Sequence, residues 1–88
     1  MIEREATIVN DLGMHARPAA QFVRLATTFG SEIELLRDGT GVNGKSIMGV
    51  MMLAAEQGCK VVVRATGPDE DAAAEALAAL IQRGFGES

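Results

Sequence analysis

Arg37-Asp38-Gly39-Thr40-Gly41-Val42-Asn43-Gly44-Lys45-Ser46 reads in two ways, and the choice decides the fold. From Gly39 to Ser46 it matches G-x-x-x-x-G-K-[ST], the phosphate-cradling loop of nucleotide-binding α/β domains. Read outward from Asp38-Gly39, it is a two-residue hairpin between antiparallel strands. The hairpin reading prevails on three grounds. It consumes most of the supposed loop as a turn and a returning strand. The later strand Val61-Val62-Val63 runs into Arg64, not into a Walker-B-type acid. And 88 residues are too few for a doubly wound nucleotide-binding domain.

The rest of the chain fits an antiparallel design. Ile2 to Val9 reads as a strand with Ile2, Ala6 and Ile8 on one face and Glu3, Glu5 and Thr7 on the other. Asn10-Asp11-Leu12-Gly13 is a turn. Ala19, Phe22, Val23 and Ala26 form one apolar stripe, which predicts a helix over Ala16–Thr28 ended by Gly30. Pro18 suits its first turn, where a missing N–H leaves no bond unmade. Strands follow over Ser31–Arg37, with Ile33 and Leu35 inward, and Thr40–Asn43.

Ser46 is an N-cap for a helix to about Ala55, with Val50, Leu53 and Ala54 as its core face. Gly49 inside it lowers helix propensity, so that helix is expected to be short or closely packed. Cys59–Thr66 is a fourth strand with Val61, Val63 and Ala65 on one face. Cys59 is expected to be a small buried hydrophobe. Asp69 caps a last helix to about Arg83, built on Ala73, Ala76, Leu77, Leu80 and Ile81. The order βαββαβα, with strands alternating polar and apolar, predicts an α+β protein. One sheet face is wet and the helices cover the other.

Composition narrows the function. Residues 1–88 are expected to form a single domain. The net charge of -4 and the absence of tryptophan and tyrosine argue against nucleic-acid binding. The one cysteine excludes an internal disulfide. The first residues show no basic, then apolar, leader, and no apolar run nears the roughly 20 residues needed to span a bilayer. A soluble cytoplasmic protein without membrane insertion is expected.

Gly13-Met14-His15-Ala16-Arg17-Pro18 holds the only histidine. A lone histidine is weak evidence, but its neighbours strengthen it. It stands at a helix mouth, where unpaired N–H groups and the helix dipole favour an anion. Arg17 carries a planar fork suited to phosphate oxygens. Nucleophile, anion site and arginine together suggest a phosphoryl group carried on nitrogen. No second histidine supports a metal site, and no cofactor is implied. Ser46 is either a simple cap or a phosphorylation site, since a phosphate at a helix start is tolerated. Ile47, Met48 and Met51 exceed what one short helix can bury and are read as an adaptable docking patch.

Gly13-Met14-His15-Ala16-Arg17-Pro18-Ala19-Ala20, the stretch Val42-Asn43-Gly44-Lys45-Ser46-Ile47-Met48-Gly49-Val50 and the element order resemble the histidine-containing phosphocarrier HPr family of the bacterial phosphoenolpyruvate-dependent phosphotransferase system. The resemblance covers essentially the whole chain. It implies an open-faced β-sandwich, with a four-stranded antiparallel sheet in the order 1-4-2-3 and three helices on one side.

It also implies that His15 accepts a phosphoryl group from enzyme I through Nδ1 and passes it to enzyme IIA proteins, assisted by Arg17. Ser46 would be the target of HPr kinase/phosphorylase, and Ala20, Arg24, Ile47, Met48 and Met51 would meet partners. Such a protein is a carrier, not a stand-alone enzyme, and is expected to be a monomer. Three alternatives stay open: a carrier of the nitrogen-type regulatory branch, a Ser46-phosphorylated adaptor that binds a transcriptional regulator, and a nucleotide-binding enzyme using Gly39–Ser46.

Overall fold

In the computed structural model, which describes residues 1–87, Asp38 and Gly39 both take left-handed backbone angles, with φ of 52° and 82°. That pair makes the tight turn whose twist matches two antiparallel strands. It joins β2 (Glu32–Arg37) to β3 (Thr40–Asn43), with Arg37 opposite Thr40. β1 (Ile2–Thr7) and β4 (Lys60–Thr66) complete an antiparallel sheet of four strands in the order β1-β4-β2-β3. The helices are α1 (Ala16–Ala26), α2 (Ile47–Met52) and α3 (Glu70–Gln82), followed by a 3-10 turn over Gly84–Gly86.

The sheet has one dry face. Ala6, Ile33, Leu35, Val61, Val63 and Ala65 are buried there, with Phe22 of α1, Val50 of α2 and Leu77 and Ile81 of α3. On the wet face Arg64 lies opposite both Glu3 and Glu34 and donates to them at 2.7 and 2.8 Å. The family order and the two-layer architecture expected from the sequence are therefore those observed.

Several boundaries differ, each for a local reason. β1 stops at Thr7, although Ile8 still exchanges backbone bonds with Gly58 and Cys59. α1 ends at Ala26, not Thr28; the hydroxyls of Thr27 and Thr28 turn back onto the carbonyls of Arg24 and Leu25. β2 and β4 each begin one residue later than expected, and α3 ends one residue earlier. α2 ends at Met52 because Ala54 takes φ 53°, which breaks the helix. Ala54 is consequently exposed and Ala55 takes the buried place beside Val50 and Leu53. In α3, Ala74 and Ala78 are buried and Ala76 only half-buried. Cys59 is half-buried, since it precedes the strand proper.

Asp69 holds the position before α3, but its side chain does not cap that helix. Its carboxylate instead accepts from the backbone N–H groups of Gly30 and Ser31, both at 2.9 Å, and from the Ser31 hydroxyl. These bonds tie the turn after α1 to the turn before α3.

The stretch that matched a phosphate loop is spent on packing. A Cβ on Gly44 would lie 2.5 Å from the Ile33 side chain, so this glycine serves close approach. Lys45 donates its ammonium to the Phe29 carbonyl at 2.9 Å. The open groove beside Lys45 and Arg64 is also lined by Glu32 and Glu34, a poor lining for a triphosphate.

Candidate functional site

The loop that presents His15 is fixed by backbone contacts. Gly13 takes φ 67° and runs so close to the segment after α2 that a Cβ there would lie 2.5 Å from the Ala55 carbonyl oxygen. Only glycine fits that approach at that angle. Met14 donates its N–H to the same Ala55 carbonyl at 2.8 Å and is itself buried. The buried Asn10 donates its side-chain amide to the Gly13 carbonyl at 2.8 Å. Gln57 closes the far side with bonds to Val9 and Asp11.

His15 follows in extended backbone (φ -81°, ψ -169°) as the residue that opens α1. Its carbonyl accepts from Ala19 at 2.9 Å, but its ring does not cap the helix. The first-turn N–H groups lack intrahelical partners by geometry and face outward with the dipole's positive end. Pro18 is buried in that first turn. Arg17 is exposed on the same turn. Together His15, Ala16, Arg17, Gln21, Phe85 and Glu87 line one open groove. The two residues assigned chemistry, His15 and Arg17, are thus brought to a single surface.

Glu87 was invisible in the sequence reading. Its Oε1 lies 3.2 Å from Nε2 of His15. The hydrogen bond with His15, joined by that from Asn10 and by the Arg17 charge, holds the Glu87 carboxyl below the usual glutamate range, against the upward push of partial burial. Nothing near Glu87 in the chain signals this contact. It arises from 72 residues of separation closed by the fold.

Most of the residues expected to meet partners stand on α2. Ile47, Met48 and Met51 are 45%, 75% and 41% exposed, while Val50 alone of this helix is buried. Met52, 77% exposed, extends the patch, and its spacing of four from Met48 was a legible signal. Leu12, also strongly exposed, flanks the His15 groove. α1 packs against α2 and carries Ala20, half-buried, and Arg24, exposed in its last turn. Ser46 opens α2, its Oγ accepting from the Gly49 N–H at 3.1 Å.

Among the described residues, no three His, Cys, Asp or Glu side chains gather as a metal site. Nor is any described helix long and apolar enough to cross a membrane.

A family model described as PTS HPr component phosphorylation site matches residues 2–83. The chain is 51% identical to the phosphocarrier protein HPr of Cupriavidus necator over 87 residues, covering 99% of this chain and 98% of that one. It is similar to a crystal structure of HPr from Thermoanaerobacter tengcongensis, with a TM-score of 0.95, 48% identity and coverage of 100% and 99% of the two chains. Another crystal structure from that organism is of an HPr dimer and matches with a TM-score of 0.78 and 48% identity over 99% of this chain and 100% of that one. That dimer stands against the expectation of a monomer.

Proposed function

The chain belongs to the PTS HPr family of phosphocarriers, and from that premise we propose that it accepts a phosphoryl group from phospho-enzyme I on Nδ1 of His15 and passes it to enzyme IIA proteins. One observation carries this reading. His15 opens α1 with its ring partly exposed, its Nε2 turned to Glu87, and Arg17 lining the same groove. The other ring nitrogen is thereby left to attack phosphorus, and Arg17 is within the groove to pair with the phosphate oxygens.

The chain acts as a carrier with a covalent intermediate, in one domain over residues 1–88, and not as a stand-alone catalyst. It requires no metal or cofactor. Enzyme I and enzyme IIA dock on Ile47, Met48 and Met51 beside Ala20, with Arg24 at the rim facing acidic partners. Their exposure on a helix whose only buried residue is Val50 supports this assignment. Ser46 is the regulatory site for HPr kinase/phosphorylase. Its place as cap of α2 supports that role, because phosphate there is added beside the docking residues without unfolding the helix. A cytoplasmic location follows from these partners.

The test is to incubate the protein with phosphoenolpyruvate and enzyme I and to ask whether it gains acid-labile phosphate. His15→Ala is expected to gain none. Acid-labile phosphate on that variant would place the acceptor elsewhere. With ATP and HPr kinase, acid-stable phosphate is expected and is absent from Ser46→Ala.

A further inference from the structure

Glu87 is held against His15 from three directions. Asn10, only 2% exposed, donates its amide to Glu87 Oε1 at 3.1 Å as well as to Gly13. Its own Oδ1 has no partner among the described residues, so this buried amide serves as a donor alone. Phe85 is buried and takes φ 59°, an angle that a bulky residue adopts only where packing over-determines it. Anchored there, the chain turns back so that Glu87 reaches the imidazole. Arg17, on the first turn of α1, adds a positive charge close enough to favour the carboxylate. Glu87 also lies beyond residues 2–83, which the family model matches, so that likeness assigns it no role.

A carboxylate only accepts hydrogen bonds, so Nε2 of His15 must donate to it. In the neutral ring the lone pair then belongs to Nδ1. We propose that Glu87 is a positioning residue for phosphoryl transfer, fixing the His15 tautomer with the proton on Nε2 and the nucleophilic lone pair on Nδ1. This role rests on the carrier function proposed above. As the Nδ1 lone pair forms the bond to phosphorus, the bond from phosphorus to the donor breaks and its electron pair stays on the donor. The imidazole gains positive charge and keeps its Nε2 proton. Glu87 faces that proton, so its hydrogen bond strengthens as the charge develops. Passing the phosphoryl group onward reverses the same steps.

The experiment reads the ring nitrogens directly. In the unphosphorylated protein at alkaline pH, nitrogen NMR of His15 is expected to show a protonated Nε2 and an unprotonated Nδ1 as two well-separated signals. Glu87→Ala is expected to bring those signals together as the tautomers mix. It is also expected to slow phosphate uptake from enzyme I by about three- to tenfold, the size of one partly exposed charged hydrogen bond. Glu87→Gln, which keeps the shape of the segment and can still accept without charge, is expected to fall between the two. It also decides the matter should the alanine variant fold poorly.

If either the nitrogen signals or the uptake rate is unchanged in both variants, the proposal is wrong. A wild-type protein that shows the separated signals but takes up no acid-labile phosphate would instead overturn the carrier function, leaving the tautomer assignment in place.

Discussion

Arg37 reaches from the end of β2 to Ala54, donating to its carbonyl at 2.7 Å and to that of Leu53 at 3.0 Å. The guanidinium thus gives partners to the carbonyls of the two residues that follow α2. It also fixes the segment whose next residue, Ala55, accepts from Met14 beside the site. Arg37→Met keeps the stem but removes both bonds. It is expected to lower stability by about 1–3 kcal/mol, read from urea unfolding. An unchanged midpoint would show that water replaces the fork without loss.

Gly13→Ala puts a methyl group against the Ala55 carbonyl and the Glu56 Cα at 2.5 and 2.7 Å, with φ at 67°. Backbone cannot step aside as a side chain can. The expected loss is about 2 kcal/mol or more, together with slower phosphate uptake, because the loop that aims His15 must shift. Thermal unfolding and an uptake assay on the same sample check both.

Ser46 separates cap from charge. Ser46→Ala removes the bond from the Gly49 N–H and is expected to cost about 1 kcal/mol. Ser46→Asp, an equally good cap, is expected to keep stability while weakening enzyme I docking through its charge. Titration of enzyme I with each variant tells the two effects apart. Equal docking by Ser46→Asp and the native chain would remove the regulatory reading.

Met48 and Met52 are the most exposed residues of α2. Replacing either by Glu touches no buried contact, so the fold is expected to hold. Binding to enzyme I is expected to weaken by roughly fivefold or more, the scale of one anchor residue in an interface. The change belongs in KM, with the maximal rate kept. A fall in maximal rate alone would move the docking surface away from α2.

Asp69 makes stability depend on acid. The Ser31 hydroxyl first, and then the Gly30 N–H, stabilise its charged form and hold its carboxyl below the usual aspartate range. The unfolded chain therefore takes up a proton at higher pH than the folded one. The stabilisation is full above the unfolded value, about 3.9, and is lost as pH falls through the lower folded value. Asp69→Asn is expected to be less stable at neutral pH, with the gap closing in acid. Unfolding midpoints from pH 7 down to about pH 2 read this directly.

Much of the architecture was legible because it rests on local periodicity. The alternation in Cys59–Thr66 and the stripe at Ala19, Phe22, Val23 and Ala26 each specify an element whatever lies opposite. The length of α2 was not legible. Val50, Leu53 and Ala54 keep helical spacing, but Arg37 and the left-handed Ala54 close the helix early, and Arg37 is 17 residues away in sequence. In the sequence, its place before a helix marks Asp69 as a cap. Its carboxylate is drawn instead to three donors on Gly30 and Ser31, which only folding brings near.

For function, the sequence by itself determined the nucleophile candidate and its arginine, since His15 and Arg17 are two residues apart at a helix start. It also determined that Asp38-Gly39 makes a turn, because the left-handed angles are a local demand. The tertiary structure decided which acceptor faces the His15 ring. Glu87 meets Nε2 across 72 residues, held by Asn10 and by an unusual angle at Phe85. The physical reason is range. Backbone angles and helix faces are set within a few residues, whereas a tautomer is set by whichever acceptor the folded chain brings to hydrogen-bond distance.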